Sequence, residues 1–373
     1  MPSEYQNALF QSLHEIDNVD LEIVFAHTLS DERKALGWDV SLDLSYRFQF
    51  LGDTNRALQV MKIAWQQRNR IHIVGGLWAV KPFLFALIIL RWVAPHYFVY
   101  SEAPNPTYKR SRLIPLYRQA IGTLFARTSR AGLLCISHFS RNFHSALGFA
   151  PNRIYDFGYF GSTNSIRASS QGDVINLVYV GQLIQRKRVD LLINALAPYL
   201  SKRVHLTLIG SGNEMDALKA LVASHQAQDH VTFTGAQPFE KVIEHLSQSS
   251  ALVLPSDYDG WGMVVNEALM VGIPVIVSDG CGAADVIVDG HNGFVFERSN
   301  LASLKVTITR FLDADQVELR RQAAITGEQL SVENASQYLI ACIQHKIGKL
   351  DTKPVPPWQG TYRLETGKEE LAR

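Results

Sequence analysis

Residues 251–278, ALVLPSDYDGWGMVVNEALMVGIPVIVS, read as strand, loop, helix and strand in succession. Ala251–Leu254 is an apolar run of strand length, and 255–260 carries turn residues. The stretch 262–271 predicts a helix, closed by Gly272 ahead of Pro274, where the second apolar run begins. Asp259 lies in the loop, and Glu267 follows eight positions on, just over two helical turns later. Gly260 and Gly262 stand near the helix start, whose unpaired N–H groups and positive dipole end suit a phosphate, a carboxylate or a sugar hydroxyl. Taken singly, each carboxylate has a plain structural reading: Asp259 caps the helix, and Glu267 faces solvent.

The string as a whole says more. DGWGMVVNEALMVGIPVIVS resembles the E-x7-E segment of the retaining glycosyltransferases of GT-B fold, specifically glycosyltransferase family 4. The family pattern is Glu, Gly or Pro, an aromatic residue, Gly, a mostly apolar run, Glu-Ala and then Gly-x-Pro-Val. Every element is present except that Asp259 replaces the first Glu.

At 373 residues the chain is long enough for two domains that each bury a core. Apolar content of 47% against 19% charged describes a globular chain rather than a disordered one. Cys135, Cys281 and Cys342 are odd in number and form no C-x-x-C spacing. That argues against a disulfide framework and a zinc site, and fits a reducing compartment. No basic-then-apolar leader opens residues 1–11, and the apolar run at 83–94 is well short of the roughly 20 residues of a spanning helix. A cytoplasmic protein is expected.

The net charge of +1 hides an asymmetry: residues 1–170 hold 18 Lys and Arg against 12 Asp and Glu, and the remainder 18 against 23. Within 103–141, Lys109, Arg110, Arg112, Arg118, Arg127, Arg130 and Arg141 meet no acidic residue. Such a segment fits peripheral contact with an anionic membrane face or a phosphate-bearing acceptor, and equally a solvated helix face. Nucleic acid is disfavoured, because neither a recognised motif nor a strongly basic overall balance is present.

Strand-like runs at 21–26, 71–74, 97–100 and 133–136 alternate with helical runs at 56–68, 78–92, 114–128 and 139–147. This βαβ rhythm predicts a parallel sheet covered by helices on both faces. The polar stretch GSTNSIRASSQGD at 161–173 marks a linker. The division is then a first domain over 1–165, a second over 166–346, and an irregular Pro- and charge-rich tail over 347–373.

The resemblance implies an α/β architecture of GT-B type, two Rossmann-like domains with parallel sheets facing across a cleft, the donor nucleotide-sugar held mainly by the second. At the start of the chain, MPSEYQNALFQSL resembles only the loop and helix that follow the family's first strand. Either the recorded start lies too late or the sheet lacks a central strand, and the first domain is expected to be one strand short.

Residue by residue, the resemblance places Glu267 on the ribose hydroxyls, and Asp259 with the backbone N–H groups of Trp261 and Gly262 on the hexose. Gly260 and Met263 belong to the same donor loop. The segment GQLIQRK, from Gly181, resembles the family's G-R-L-x-x-x-K-G, which sets Lys187 on the diphosphate and Gln182 in place of the arginine. Glutamine donates a hydrogen bond but supplies no charge, so Arg186 or Arg188 is expected to compensate. Gly210 and Gly212 of GSG and Gly235 of FTG fall beside the nucleotide in the family, although such glycines also mark ordinary tight turns.

Glu102 ends YFVYSE at the sheet edge where open α/β folds bind ligands, and in many family members a histidine from this edge lies near the reacting sugar. Glu102 is expected to face the cleft and contact acceptor or donor sugar; its plain reading is a helix cap or the partner of a nearby arginine. Gly280–Ala283 are small enough for backbone to approach a sugar or phosphate, and Asp285 stands where the family commonly has Glu. His72 reads as a core histidine and His138 as a weaker candidate still.

The implied reaction is hexosyl transfer with retention, without metal, cofactor or enzyme-linked intermediate. It runs from a UDP-, GDP- or ADP-sugar to a glycan or lipid-linked acceptor; the basic segment at 103–141 adds the expectation of cell-surface polysaccharide or lipopolysaccharide synthesis at the inner face of a membrane. Two other readings stay open. One is a non-catalytic scaffold of the same fold, favoured by the short first sheet, Gln182 and Asp259. The other is a sugar-nucleotide epimerase, which needs no acceptor. An oxidoreductase is disfavoured because no G-x-G-x-x-G follows a predicted strand.

Overall fold

The computed structural model describes residues 4–28, 44–75, 81–104, 113–162, 174–201 and 203–360. Most of the predicted linker, Lys109, Arg110, Arg112 and the side chain of Arg118 lie outside the described residues.

The first half runs α1 (Glu4–His14), β1 (Glu22–Phe25), β2 (Arg47–Phe50), α2 (Arg56–Gln66), β3 (His72–Gly75), α3 (Lys81–Val93), β4 (Tyr97–Glu102), α4 (Leu113–Ala126), β5 (Ala131–Ile136), α5 (Ser137–Ala146) and β6 (Ile154–Asp156). All strand pairings are parallel. The core on one side is built from Val60 and Ala64 of α2, Leu87 and Leu90 of α3, and Phe125 of α4, packed over Val74, Val99 and Leu133.

These strands form two separate sheets, β1-β2 and β3-β4-β5-β6. Among the described residues no strand joins β1 to β3. Both consequently behave as edges: their residues are mainly half-buried or exposed, whereas β5 is buried throughout. The strand at 47–50 was not foreseen, because RFQF alternates for only four residues between unpatterned neighbours.

The second half runs β7 (Ile175–Val180), α6 (Val189–Leu196), β8 (Val204–Ile209), α7 (Met215–Ser224), β9 (Val231–Gly235), α8 (Phe239–Ser247), β10 (Ala251–Leu254), α9 (Met263–Val271), β11 (Val275–Ser278), β12 (Gly293–Phe296), α10 (Leu301–Leu312), α11 (Gln316–Gln329) and α12 (Val332–Lys346). Its six parallel strands lie in the order β12-β11-β10-β7-β8-β9. β7 leads outward one way and β10 the other, so the chain reverses direction across the sheet between them. A crevice at such a switch point, beyond the carboxyl ends of the strands, is where this architecture binds ligands.

Helix α12 returns to the first half. Ser336 Oγ is 2.9 Å from Ser12 Oγ, His345 Nδ1 is 2.7 Å from Tyr155 Oη, and Tyr338 stacks on Phe157 with centroids 5.8 Å apart. Beyond it, the tail buries Trp358 against Phe160 and Trp261. A single apolar core therefore runs from Phe98 and Tyr155 of the first sheet through the second.

Candidate active site

The loops after β7 and β10 meet at the switch point. Lys187 ends a single 3-10 turn, and Arg188 follows in a left-handed conformation that starts α6. Lys187 Nζ forms an ion pair with Asp259 Oδ2, and the two side chains are only 12% and 19% exposed. With both side chains largely out of water, removing either partner would leave a poorly solvated charge without its counterpart. Backbone bonds lace the same loops: Asp257 N–H donates to the Arg186 carbonyl at 2.9 Å, and Arg186 Nη1 donates to the Tyr258 carbonyl at 2.6 Å.

The cations beside Lys187 are thereby told apart. Arg188 is engaged by Asp190 at 3.0 Å and reaches toward Asp257 at 3.4 Å, and these carboxylates hold its guanidinium above its ordinary pKa. Arg186 is tied to the loop that carries Asp259. Gln182 is exposed, and its carbonyl accepts the Tyr179 hydroxyl at 2.8 Å.

Neither plain reading of the two carboxylates survives. No side chain caps α9, whose N-cap is Gly262 at φ 101°, so Asp259 is not a helix cap. Glu267, on the second turn of α9, is buried at 9% exposure and does not face solvent. The next residues pack rather than reach outward. Trp261 is 3% exposed, donates from Nε1 to Asn266 Oδ1 at 2.8 Å and lies edge-on to Tyr159 and Trp358. Its indole belongs to the core and its carbonyl accepts the Ala283 N–H at 2.9 Å, which leaves its backbone N–H for any ligand. Met263 is half-buried in the first turn of α9.

Gly181, Gly210, Gly212 and Gly235 form a row along the carboxyl edge of β7, β8 and β9. Gly181 N–H donates to the Ile209 carbonyl at 3.0 Å, and Gly210 N–H to the Gly235 carbonyl at 2.8 Å. At Gly210, φ is +136° and a Cβ would sit 1.9 Å from the Gly181 carbonyl oxygen, so only glycine fits. Gly280 and Gly282 are needed for similar reasons: a Cβ on either would strike the backbone of 256–260, and Gly282 also touches Ser137. Their small size thus serves chain packing.

The first half closes the site from the other side. Glu102, the last residue of β4, accepts the Tyr159 hydroxyl at 2.6 Å on Oε1, and its Oε2 would lie 3.0 Å from a Cβ on Gly260. Glu102 thus faces the loop that carries Asp259 and is neither a cap nor an arginine partner among the described residues. Between them, burial and the carboxylates of Glu102 and Asp259 push the Tyr258 hydroxyl up to about 12. His72 bonds the Gln67 carbonyl at 2.9 Å, and burial lowers its pKa, as suits a structural histidine.

His138 lies in the first turn of α5, just beyond β5, and its Nδ1 is 2.7 Å from Asp285 Oδ1 of the second half. Arg141 reinforces the seam, with Nε 2.6 Å from Asp156 and Nη2 3.3 Å from Asp285. The position at the carboxyl end of a parallel strand was the available signal. No group of three or more His, Cys, Asp or Glu among the described residues is placed to hold a metal ion. All three cysteines are buried and free.

This is the GT-B fold, with two parallel α/β halves facing each other across a cleft. The family described as glycosyl transferases group 1 matches residues 163–329, the span holding Lys187, Asp259 and Glu267. Over 208 residues the chain is 27% identical to an uncharacterized glycosyltransferase of Methanocaldococcus jannaschii, covering 56% of each chain. Over 175 residues it is 28% identical to the GDP-mannose-dependent alpha-(1-6)-phosphatidylinositol monomannoside mannosyltransferase of Mycolicibacterium smegmatis, covering 44% of each. The chain thus spans about half the length of the curated relatives it matches. The structure is similar to the apo lipopolysaccharide outer core galactosyltransferase WaaB, with TM-score 0.69, 19% identity and coverage of 93% of this chain and 96% of that one. It is also similar to Anabaena HepE in complex with UDP, with TM-score 0.69, 15% identity and coverage of 92% and 96%. The family model thus matches the second half of the chain, and the solved structures share the fold of nearly all of it.

Proposed function

We propose that the protein is a retaining, metal-independent hexosyltransferase that moves a sugar from a nucleoside diphosphate to a glycan or lipid-linked acceptor in cell-surface polysaccharide synthesis. The observation that carries this reading is the Lys187–Asp259 pair at the switch point, with Glu267 buried on the adjoining helix and Glu102 facing it from the other half. In this reading Lys187, with Arg186 beside it, neutralises the diphosphate. Glu267 binds ribose, and Asp259 with the N–H groups of Trp261 and Gly262 holds the hexose. The glycine row at 181, 210, 212 and 235 lets backbone approach the nucleotide.

Transfer then rests on positioning and on stabilising the departing diphosphate, with the cleft limiting access of water. Glu102 contacts the acceptor or the transferred sugar. The similar proteins support nucleotide-linked donors: HepE is seen in complex with UDP, and the mycobacterial relative is GDP-mannose-dependent. The test is a thermal-shift panel of UDP-, GDP- and ADP-sugars, followed by acceptor assays and anomeric analysis of the product. Stabilisation by one nucleotide class and a product of unchanged anomeric configuration are expected. An inert panel, or product formed without acceptor, overturns the reading.

A further inference from the structure

Three helices of the first half, α2, α3 and α4, cover one side of its sheet and lie side by side: α2 packs on α3, and Arg91 of α3 donates to the Leu124 carbonyl of α4. Each presents two large apolar side chains about two turns apart to solvent. On α2 they are Leu58 and Trp65, on α3 Phe85 and Trp92, and on α4 Leu116 and Leu124. Trp92 is 72% exposed and Trp65 56%, in a fold that buries Trp261 and Trp358. Residues seven or eight apart on a helix share one face, so these pairs make three parallel apolar rows.

The same layer is cationic. No Asp or Glu occurs on α2, α3 or α4, and between Asp53 and Asp156 Glu102 is the only acidic residue against 14 Lys and Arg. Arg68 lies over the Trp65 ring at 5.6 Å and Arg91 over the Trp92 ring at 5.7 Å. Lys62, Arg127 and Arg130 are exposed, and no ion pair engages them among the described residues. Between α3 and α4 runs an open groove of about 480 Å³, lined by Arg91, Leu116, Ala120, Leu124 and Arg127 among others. In it the buried Arg91 Nε has no hydrogen-bond partner.

We propose that this three-helix face docks on the surface of an anionic phospholipid bilayer. Tryptophan rings beside arginines suit the boundary between headgroups and acyl chains, and an acid-free cationic layer matches the charge of such a surface. The docking is peripheral: no helix among the described residues is long and apolar enough to cross a membrane. The inference stands on the helical layer and does not depend on the donor-site reading.

The test is flotation of the full chain with vesicles of phosphatidylcholine alone or of phosphatidylcholine and phosphatidylglycerol in equal parts. Binding to the mixed vesicles, little to the neutral ones, and weakening with salt are expected. Trp92→Ser, and separately Lys62→Glu with Arg127→Glu, should each cut vesicle binding about tenfold or more while melting temperature stays near that of the parent chain. Equal binding by parent and variants overturns the proposal, as does binding to neither vesicle. A lipid-free dimer that Trp92→Ser converts to monomer, without vesicle binding, assigns the face to a second copy instead.

Discussion

His138 Nδ1 and Asp285 Oδ1, 2.7 Å apart, join the two halves of the molecule by a side-chain contact at the rim of the cleft. Asp285 also receives Arg141, which Asp156 holds from behind at 2.6 Å. One carboxylate from the second half is therefore gripped by two basic side chains of α5, a short distance along the seam from where Glu102 faces Gly260. A contact of this kind sets how the halves meet, and in a transferase that geometry decides whether donor and acceptor groups line up.

Asp285→Ala should therefore loosen the seam while leaving each half folded. Small-angle scattering is expected to report a larger radius of gyration, and kcat/KM to fall about tenfold through misplaced reacting groups. Unchanged scattering together with unchanged kinetics would show the contact to be incidental.

The Lys187–Asp259 pair and buried Glu267 give a second expectation. Lys187→Ala removes the cation proposed for the diphosphate and leaves Asp259 partly buried without its partner. Both Lys187→Ala and Glu267→Gln should reduce transfer by about a hundredfold or more, in keeping with the loss of a preorganised electrostatic contact. Near-normal turnover in both variants removes the site assignment.

Glu102 separates the two sides of the cleft. Glu102→Gln keeps an acceptor for the Tyr159 hydroxyl but removes the charge, and is expected to lower transfer about tenfold or more while donor binding, measured calorimetrically, stays unchanged. A loss of donor affinity equal to the loss of turnover would move Glu102 to the donor side.

Much of this arrangement was legible because it is local in sequence. The stretch 251–278 folds as read, with Gly272 closing α9 at φ 87°, and Lys187 and Asp259 meet although 72 residues separate them, because β7 and β10 are neighbours at the switch point. What escaped was set by tertiary packing. Strand β2 is too short to carry a period, and α7 lay in a stretch given no helical reading. The His138–Asp285 contact spans 147 residues between elements of different halves, a pairing no periodicity encodes. The ring of Trp261 is held by Tyr159 and Trp358 from distant segments, which the sequence of its own loop does not reveal.

His144 supplies the pH dependence. It is fully buried on α5, with Nδ1 2.8 Å from the Ser140 carbonyl, and burial pushes its pKa from 6.5 down to about 4. In the unfolded chain the ring takes up a proton near pH 6.5, whereas in the folded chain it stays neutral until about pH 4. The unfolded state therefore binds more protons across this window, so the group's effect on stability is absent above pH 6.5 and grows more adverse as pH falls toward 4. The integrated effect is of order 3 kcal/mol at the acid end. His144→Gln removes the titrating group, so its melting temperature should fall less steeply over this range than that of the parent chain, even if the variant is less stable at neutral pH. Parallel curves for the two proteins would show that acid sensitivity arises elsewhere.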